Sequence, residues 1–119
     1  MKVYKILLGV LIMISVVNLS FAQEEDTFIS GFGSLSCDRW IEFREYEEGV
    51  NSPLSAWVQG FLSGMNVSQS VHIDETIDIP DISIILKLMD EGCGLDESEM
   101  VYNIALSVYL QLYVIHLRK

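Results

Sequence analysis

The residue types best suited to binding a metal lie in one short segment of the 119-residue chain. His72 stands close to Asp74, Glu75 and Asp78, and imidazole and carboxylate groups are common ligands of zinc and calcium. The segment has neither the ligand spacing nor the glycine of a calcium-binding loop, and a single histidine is a poor basis for a zinc site. We therefore expect a solvated acidic loop here, with no metal and no cofactor.

Cys37 and Cys93 are the only cysteines, and neither stands in a CxxC motif or beside a histidine. An even cysteine count in a chain with an export signal favours one disulfide, with a catalytic thiol or a metal pair as the alternatives. A bridge between them would close a loop of 57 residues. Closing such a loop is worth about 4 kcal/mol in the chain-entropy account.

The serines and the second histidine offer no nucleophile with a base. Ser34 and Ser63 each have a glycine beside them but lack the spaced glycines of a G-x-S-x-G elbow. His116 stands near the chain end, where a positive charge complements a helix dipole. The sequence therefore predicts no catalytic residues, and we expect that the chain is not an enzyme.

Residues 1–22 have the pattern of a secretory signal peptide. Two lysines precede an apolar run over residues 6–17, and Ser20-Phe21-Ala22 follows. The run is shorter than the roughly 18 residues of a membrane span, and an uncleaved anchor is the alternative. Cleavage after Ala22 leaves five basic and seventeen acidic residues, a net charge of −12. We expect a periplasmic or secreted protein that binds neither nucleic acid nor, after cleavage, a membrane.

The segment from Ser52 to Asn66 predicts the central helix of the domain. Ser52 is a suitable N-cap, and Pro53 suits the first helical position. Small residues recur at every fourth position, which places them in one row where a neighbouring helix could approach closely. The predicted helix-packing residues are Trp40, Ala56, Trp57, Gly60, Phe61 and Gly64.

Three further helices are predicted, in an all-α, small four-helix domain over residues 36–119. Residues 23–35 are expected to form a flexible acidic arm, and residues 36–48 the first helix. The tail of the central helix, residues 66–70, is expected to fray into an extended loop over residues 71–79. The third helix begins near Pro80 and ends at Gly92-Cys93-Gly94, so the disulfide would join the first helix to the turn after the third.

The fourth helix has a predicted capping box, with Asp96 as the cap and Glu99 three residues later, and a Leu95–Met100 staple. It is apolar on nearly every side, apart from a thin stripe of Asn103, Ser107 and Gln111, so we expect part of it to contact another chain. The predicted partner surface consists of Tyr102, Leu106, Tyr109, Leu110 and Tyr113. The partner would be another protein, and a homo-oligomer is expected.

The order of these features resembles a family of small exported helical proteins. Ser36-Cys37 with Trp40, the segment Ala56-Trp-Val-Gln-Gly-Phe-Leu-Ser-Gly-Met-Asn66 and Cys93 resemble the HdeA/HdeB type of acid-stress chaperone over residues 36–112. The pattern is also similar to that of the Tai-like immunity proteins of type VI amidases. The resemblance implies a disulfide between Cys37 and Cys93 and apolar surfaces on the second and fourth helices that acid exposes.

Three hypotheses for function follow. The first is an acid-responsive periplasmic holdase-type chaperone in stress response, because protonation of all carboxylates and both histidines would change the side-chain charge from −12 to +7. The second is an immunity or inhibitor protein that binds an exported enzyme through the acidic loop over residues 71–78. The third is a structural envelope subunit that docks through the fourth helix.

Overall fold

The computed structural model describes residues 29–46 and 49–119, which form four helices. These are α1 (Cys37–Tyr46), α2 (Pro53–Ile73), α3 (Ile82–Leu95) and α4 (Val101–Leu117), with a 3-10 helix at Gly31–Ser34 before α1. The described residues contain no strand beyond a single bridge between Ser36 and Met100. The all-α fold class is therefore confirmed. The predicted signal peptide, the start of the acidic arm and the predicted end of the first helix at residues 47–48 lie outside the described residues.

The predicted disulfide is present, and it joins two helices directly. Cys37 begins α1, Cys93 lies in the last turn of α3, and both are fully buried with their Cα atoms 4.9 Å apart. The expectation that α3 ends before Cys93 is wrong, because the helix continues to Leu95. Gly92 belongs to this last turn, and its lack of a side chain leaves room for Ile104 of α4.

All four helices and one loop residue contribute to a single core. Trp40 of α1 and Met89 of α3 are completely buried, and burial of an apolar side chain stabilises the fold by roughly 1.5–3 kcal/mol. The other fully or nearly buried apolar residues are Cys37, Leu54, Val58, Leu62, Ile77, Ile85, Leu86, Cys93, Val101, Ala105, Val108 and Tyr109.

The N-terminus of α2 is as predicted, but its C-terminal half is not. The Ser52 side chain accepts a hydrogen bond from the Ser55 backbone N–H at 3.2 Å, and Pro53 is the first helical residue. The predicted fraying after Asn66 is wrong, since the helix continues to Ile73 and ends at Asp74 in the left-handed conformation (φ 54°). The first residues of the predicted extended loop are therefore helical.

The segment before α1 belongs to the folded domain. Gly33 is buried against the Trp57 ring, and a Cβ atom at this position would lie only 2.2 Å from the ring carbon Cζ2. Phe32 makes an edge-to-face contact with Phe43, with ring centroids 5.9 Å apart. The domain therefore includes residues 29–35, which were predicted to belong to the flexible arm.

The small-residue row of α2 faces away from the core. Ala56, Gly60 and Gly64 are exposed, and no described atom lies within 4 Å of a Cβ placed on either glycine. Their prediction as helix-packing residues within the domain is wrong, because the core uses the opposite side of α2, with Leu54, Val58 and Leu62. Trp40 is buried as expected, whereas Trp57 and Phe61 are half-buried and stack with ring centroids 5.3 Å apart.

Two glycine-to-alanine substitutions should change stability in opposite directions. Gly60→Ala places a methyl group in open space on a helix, so we expect the free energy of unfolding to rise by about 1 kcal/mol. Gly92→Ala makes the same helical gain but sets a Cβ atom 2.6 Å from Ile104 Cγ2, and overpacking costs about 1–3 kcal/mol, so we expect a net loss of up to about 2 kcal/mol. Urea unfolding followed by circular dichroism measures both. If Gly60→Ala lowered the free energy of unfolding as much as Gly92→Ala, other atoms would have to pack against the small-residue row of α2.

Candidate functional site

The N-termini of α1 and α4 lie against each other and satisfy each other's backbone groups. The N–H groups of Cys37 and Asp38 donate to the carbonyls of Glu99 (2.8 Å) and Glu97 (2.9 Å), and the Val101 N–H donates to the Leu35 carbonyl at 2.9 Å. We call residues 35–38 and 96–101 the junction. Two helix N-termini, each with a partial positive charge, therefore meet beside the buried disulfide.

The predicted capping box at the start of α4 is wrong. Asp96 accepts instead from the backbone N–H (3.0 Å) and hydroxyl (2.6 Å) of Ser98, in a turn that precedes the helix. The helix begins at Val101, whose N–H is already bonded to Leu35 across the junction, so no side-chain cap is needed there. Leu95 is 90% exposed, and the predicted staple to Met100 is absent.

Three carboxylates of the junction have a lowered pKa. The pKa of Asp38 is lowered first by the hydrogen bond from the Ser36 hydroxyl, and that of Asp96 first by the hydroxyl of Ser98. The pKa of Glu99 is lowered first by the Asn103 side-chain amide, which donates to its Oε1 at 2.7 Å. All three negative charges stand beside helix N-termini, where they are favourable. The junction is therefore built to be stable while its carboxylates are ionised.

Acid should weaken the junction. A carboxyl group whose folded-state pKa is depressed stabilises the fold above its ordinary pKa, and this contribution is lost as the pH falls through the folded-state value. For these groups the loss begins around the ordinary values of 3.8 and 4.5 and continues at lower pH. We expect the double variant Asp96→Asn, Glu99→Gln to flatten the pH dependence of the melting temperature below pH 4.5 relative to the wild type. An unchanged profile in the double variant would contradict the assignment.

A second polar contact joins α1 to α3. Asp90 accepts a hydrogen bond from Trp40 Nε1 at 2.8 Å and is held by both Nε and Nη2 of Arg44 at 3.0 Å. The carboxylate is partly exposed, so solvent screens this ion pair. Its main effect is to satisfy the indole N–H of a fully buried tryptophan and so fix the ring orientation.

Asn66 holds the loop between α2 and α3. Its side-chain amide donates to the Ile77 carbonyl and accepts from the Ile77 N–H, both at 2.9 Å, as a backbone partner in a sheet would. Beside it, the Tyr109 hydroxyl donates to Gln69 Oε1 at 2.7 Å. This role of Asn66 was not predicted, and the sequence gives no local signal for it, because the neighbouring residues on the same side of the helix, Ser63, Gln69 and Ser70, are polar as well.

The His72, Asp74, Glu75 and Asp78 side chains lie on the exposed surface at the end of α2 and along this loop. Among the described residues, no three His, Cys, Asp or Glu side chains are grouped so that they could hold a metal ion. None of the described helices has the length and apolar character that crossing a membrane requires.

An apolar surface lies along the outside of α3 and α4. We call it the α4 face, and its exposed residues are Ile84 (50% exposed), Leu95 (90%), Leu110 (51%), Val114 (45%), Ile115 (54%) and Leu117 (61%). From residue 101 to residue 117, α4 contains no Asp, Glu, Lys or Arg. α2 also lacks these residues, but its exposed small-residue row consists of Ala56, Gly60 and Gly64, whereas the α4 face has large apolar side chains. Exposed apolar patches of this kind mark interaction sites.

Three depressions adjoin one another on the α4 face. A shallow one of about 470 Å³ follows α4 around Ser107 and Leu110, and it shares Ile115 with one of about 440 Å³ between α3 and α4. A third, of about 230 Å³, lies beside Gly92 and Leu95 and shares Ser107 with the first. Together they form a continuous groove that an apolar segment of another protein could enter.

Most residues of the predicted partner surface lie on a different side of α4 from the residues that are exposed. Tyr109 is only 2% exposed and hydrogen-bonded to α2, so its prediction as a partner residue is wrong. Leu110 is exposed as expected, while Tyr102, Leu106 and Tyr113 are half-buried. The solvent-facing side of the helix carries instead Ser107, Gln111, Val114 and Leu117, including part of the stripe that looked merely polar in the sequence.

Comparison with protein-family models, curated proteins and solved structures finds no match to this chain. The resemblance to acid-stress chaperones and to immunity proteins therefore remains a prediction from the sequence.

Proposed function

We propose that this chain is an exported, non-enzymatic protein that binds other proteins through the α4 face and acts as a holdase in acid. The observation that carries the proposal is the exposed groove of the α4 face, whose central depression has no charged lining residue and is lined by apolar residues such as Leu110 and Ile115. A surface of this kind binds unfolded segments without a specific sequence, because apolar contact is not directional.

The junction supports a role in acid. Its three carboxylates, while ionised, stabilise the turns that begin α1 and α4 through hydrogen bonds within their own segments, and the disulfide keeps Cys37 attached to α3 when that support is lost. Acid would therefore loosen the starts of α1 and α4 and the adjoining 3-10 helix without unfolding the whole chain, and would add apolar surface beside α4. A disulfide also agrees with an oxidising compartment, which for this chain we take to be the periplasm or the exterior.

The test is light scattering of an acid-labile client shifted to pH 2–3, with and without the purified, oxidised protein. Suppressed aggregation at near-equimolar protein supports the proposal, and the same protein after reduction of the disulfide should protect less. Unchanged aggregation of the client would reject the holdase function.

A second candidate function is inhibition of an exported enzyme through the loop of residues 74–81. The observation that favours it is the pair of hydrogen bonds between the Asn66 side chain and the Ile77 backbone, which we call the Asn66 bracket and which fixes the middle of an acidic loop before any partner binds. A preorganised loop loses little entropy on binding, as inhibitors require. One tight partner at neutral pH, lost when Asp74 and Glu75 are changed to lysine, would support inhibition instead of the holdase.

A further inference from the structure

We propose that two copies of this chain pair at neutral pH through the outer side of α4, with the two helices antiparallel about a two-fold axis near Ser107 and Leu110. The pairing uses the same face as the proposed function and so rests on that face being a binding surface. It does not depend on clients or on acid.

The centre of the proposed interface is uncharged, whereas most of the remaining surface is acidic. The formal net charge of −10 makes two copies repel each other wherever their carboxylates face. Among the described helices, α1 and α3 carry exposed Asp and Glu residues, whereas α2 and α4 carry none. Two copies can therefore come into contact along α4 with little repulsion.

The ends of α4 have opposite charges, and this favours an antiparallel pairing with a second copy. Asp96, Glu97 and Glu99 precede the helix, and Arg118 and Lys119 follow it. In an antiparallel pair, each basic end lies beside the acidic start of the partner's helix, and the two-fold axis repeats this contact. A parallel pair would set like charges together at both ends.

Arg118 is the basic residue left over for this contact. Within the described part of the chain, Arg118 forms no ion pair. The other four basic residues each form one with a carboxylate: Arg39, Arg44, Lys87 and Lys119. The exposed Glu97 side chain likewise has no hydrogen-bond or ion-pair partner among the described residues. An antiparallel pair brings Arg118 and the partner's Glu97 to the same end of the interface.

The side chains along the outer side of α4 fit this register. Ser107 faces the partner's Leu110 across the axis, so the shallow depression around the serine receives a leucine from each copy. Asn103 then faces the partner's Val114. The helix is about 25 Å long, and with the neighbouring Leu95 and Ile115 of each copy it provides a small interface.

Sedimentation equilibrium at neutral pH tests the pairing in the oxidised wild type and two charge-insertion variants. We expect a dimer for the wild type, and Leu110→Glu should raise its dissociation constant at least about 100-fold because two carboxylates then meet at the axis. Val67→Glu is the matched control, since Val67 is 63% exposed on α2. It should leave the dimer intact. Loss of the dimer in Val67→Glu but not in Leu110→Glu would overturn the proposal in favour of the small-residue row of α2.

A charge exchange tests the orientation. Arg118→Glu should weaken the dimer at least about tenfold, and adding Glu97→Lys to it should restore the wild-type constant to within about threefold. Residues 97 and 118 lie at opposite ends of the same α4, roughly 25 Å or more apart, so restoration cannot arise within one copy. Circular dichroism checks that these exposed substitutions leave the helix content unchanged.

The outcomes separate this pairing from the proposed function. The pairing is overturned if the wild type is monomeric, or if the variant with both Arg118→Glu and Glu97→Lys has a dimer dissociation constant no lower than that of Arg118→Glu alone. Either result counts against it even if the protein suppresses client aggregation in acid. A restored dimer confirms the pairing even if no client is protected, in which case the holdase function alone fails.

Discussion

Replacing Cys37 and Cys93 together with alanine should lower the free energy of unfolding by about 4 kcal/mol. The bridge closes a loop of 57 residues, and opening it returns that loop's conformational freedom to the unfolded chain. Small domains have a total stability of about 5–15 kcal/mol, so the variant should be partly unfolded at physiological temperature. Because both cysteines are completely buried, the vacated volume adds to the loss.

Urea unfolding of the oxidised wild type and of the double variant measures this difference. Reductant should destabilise the wild type to nearly the same extent and leave the double variant unchanged, which separates the bridge from side effects of the substitutions. A loss below about 1 kcal/mol would contradict the view that the bridge holds α1 on α3.

Asn66→Ala should cost about 3 kcal/mol, because it leaves the N–H and carbonyl of a buried residue without partners. Ile77 is 4% exposed and belongs to the core, so water cannot replace both lost hydrogen bonds without disturbing its packing. The loop before α3 should become mobile, and the Ile77 amide should exchange with solvent faster than in the wild type.

Hydrogen exchange at the Ile77 amide and urea unfolding together check this prediction. Ser63→Ala is the control on the same helix, since Ser63 is exposed and its hydroxyl has no hydrogen-bond partner among the described residues. It should be neutral or slightly stabilising. An Asn66→Ala variant as stable as Ser63→Ala would show that the bracket does not hold the loop.

Local sequence signals predicted those features whose partners are close in the chain. Ser52 and Pro53 define the start of α2 because the cap bond reaches only to Ser55. The same reasoning failed at the start of α4, where Asp96 and Glu99 have the correct spacing for a capping box. There the backbone of residues 35–38, distant in sequence, supplies the missing partners, and the two carboxylates are left for the preceding turn and for Asn103.

Helical spacing identified rows of residues, but not which row faces the core. The small-residue row of α2 and the row with Tyr109 on α4 are both real, yet the first is exposed and the second reaches inward to α2. Charged residues along one side of a helix normally indicate which side faces solvent. Neither α2 nor α4 contains an Asp, Glu, Lys or Arg residue, so that information was absent from the sequence.

The α4 face carries the proposed function. A helix without charges can be buried on several sides, and here its outer side remains exposed between an acidic and a basic end. In the proposed function the apolar groove would bind through its buried area alone, and in the proposed pairing the charged ends would set the orientation. The junction lies at the acidic end, so we expect the pH to affect both the turns that begin α1 and α4 and the charge beside the groove.

The most direct test of the α4 face is site-specific photo-crosslinking to an acid-unfolded client at pH 2–3. A photoreactive side chain is placed at Val114 on the α4 face or, as the control, at the similarly exposed Val67 on α2. We predict client adducts from position 114 and few from position 67. Adducts mainly from position 67, or none from position 114 while the client is protected, would contradict the central claim that the α4 face binds clients.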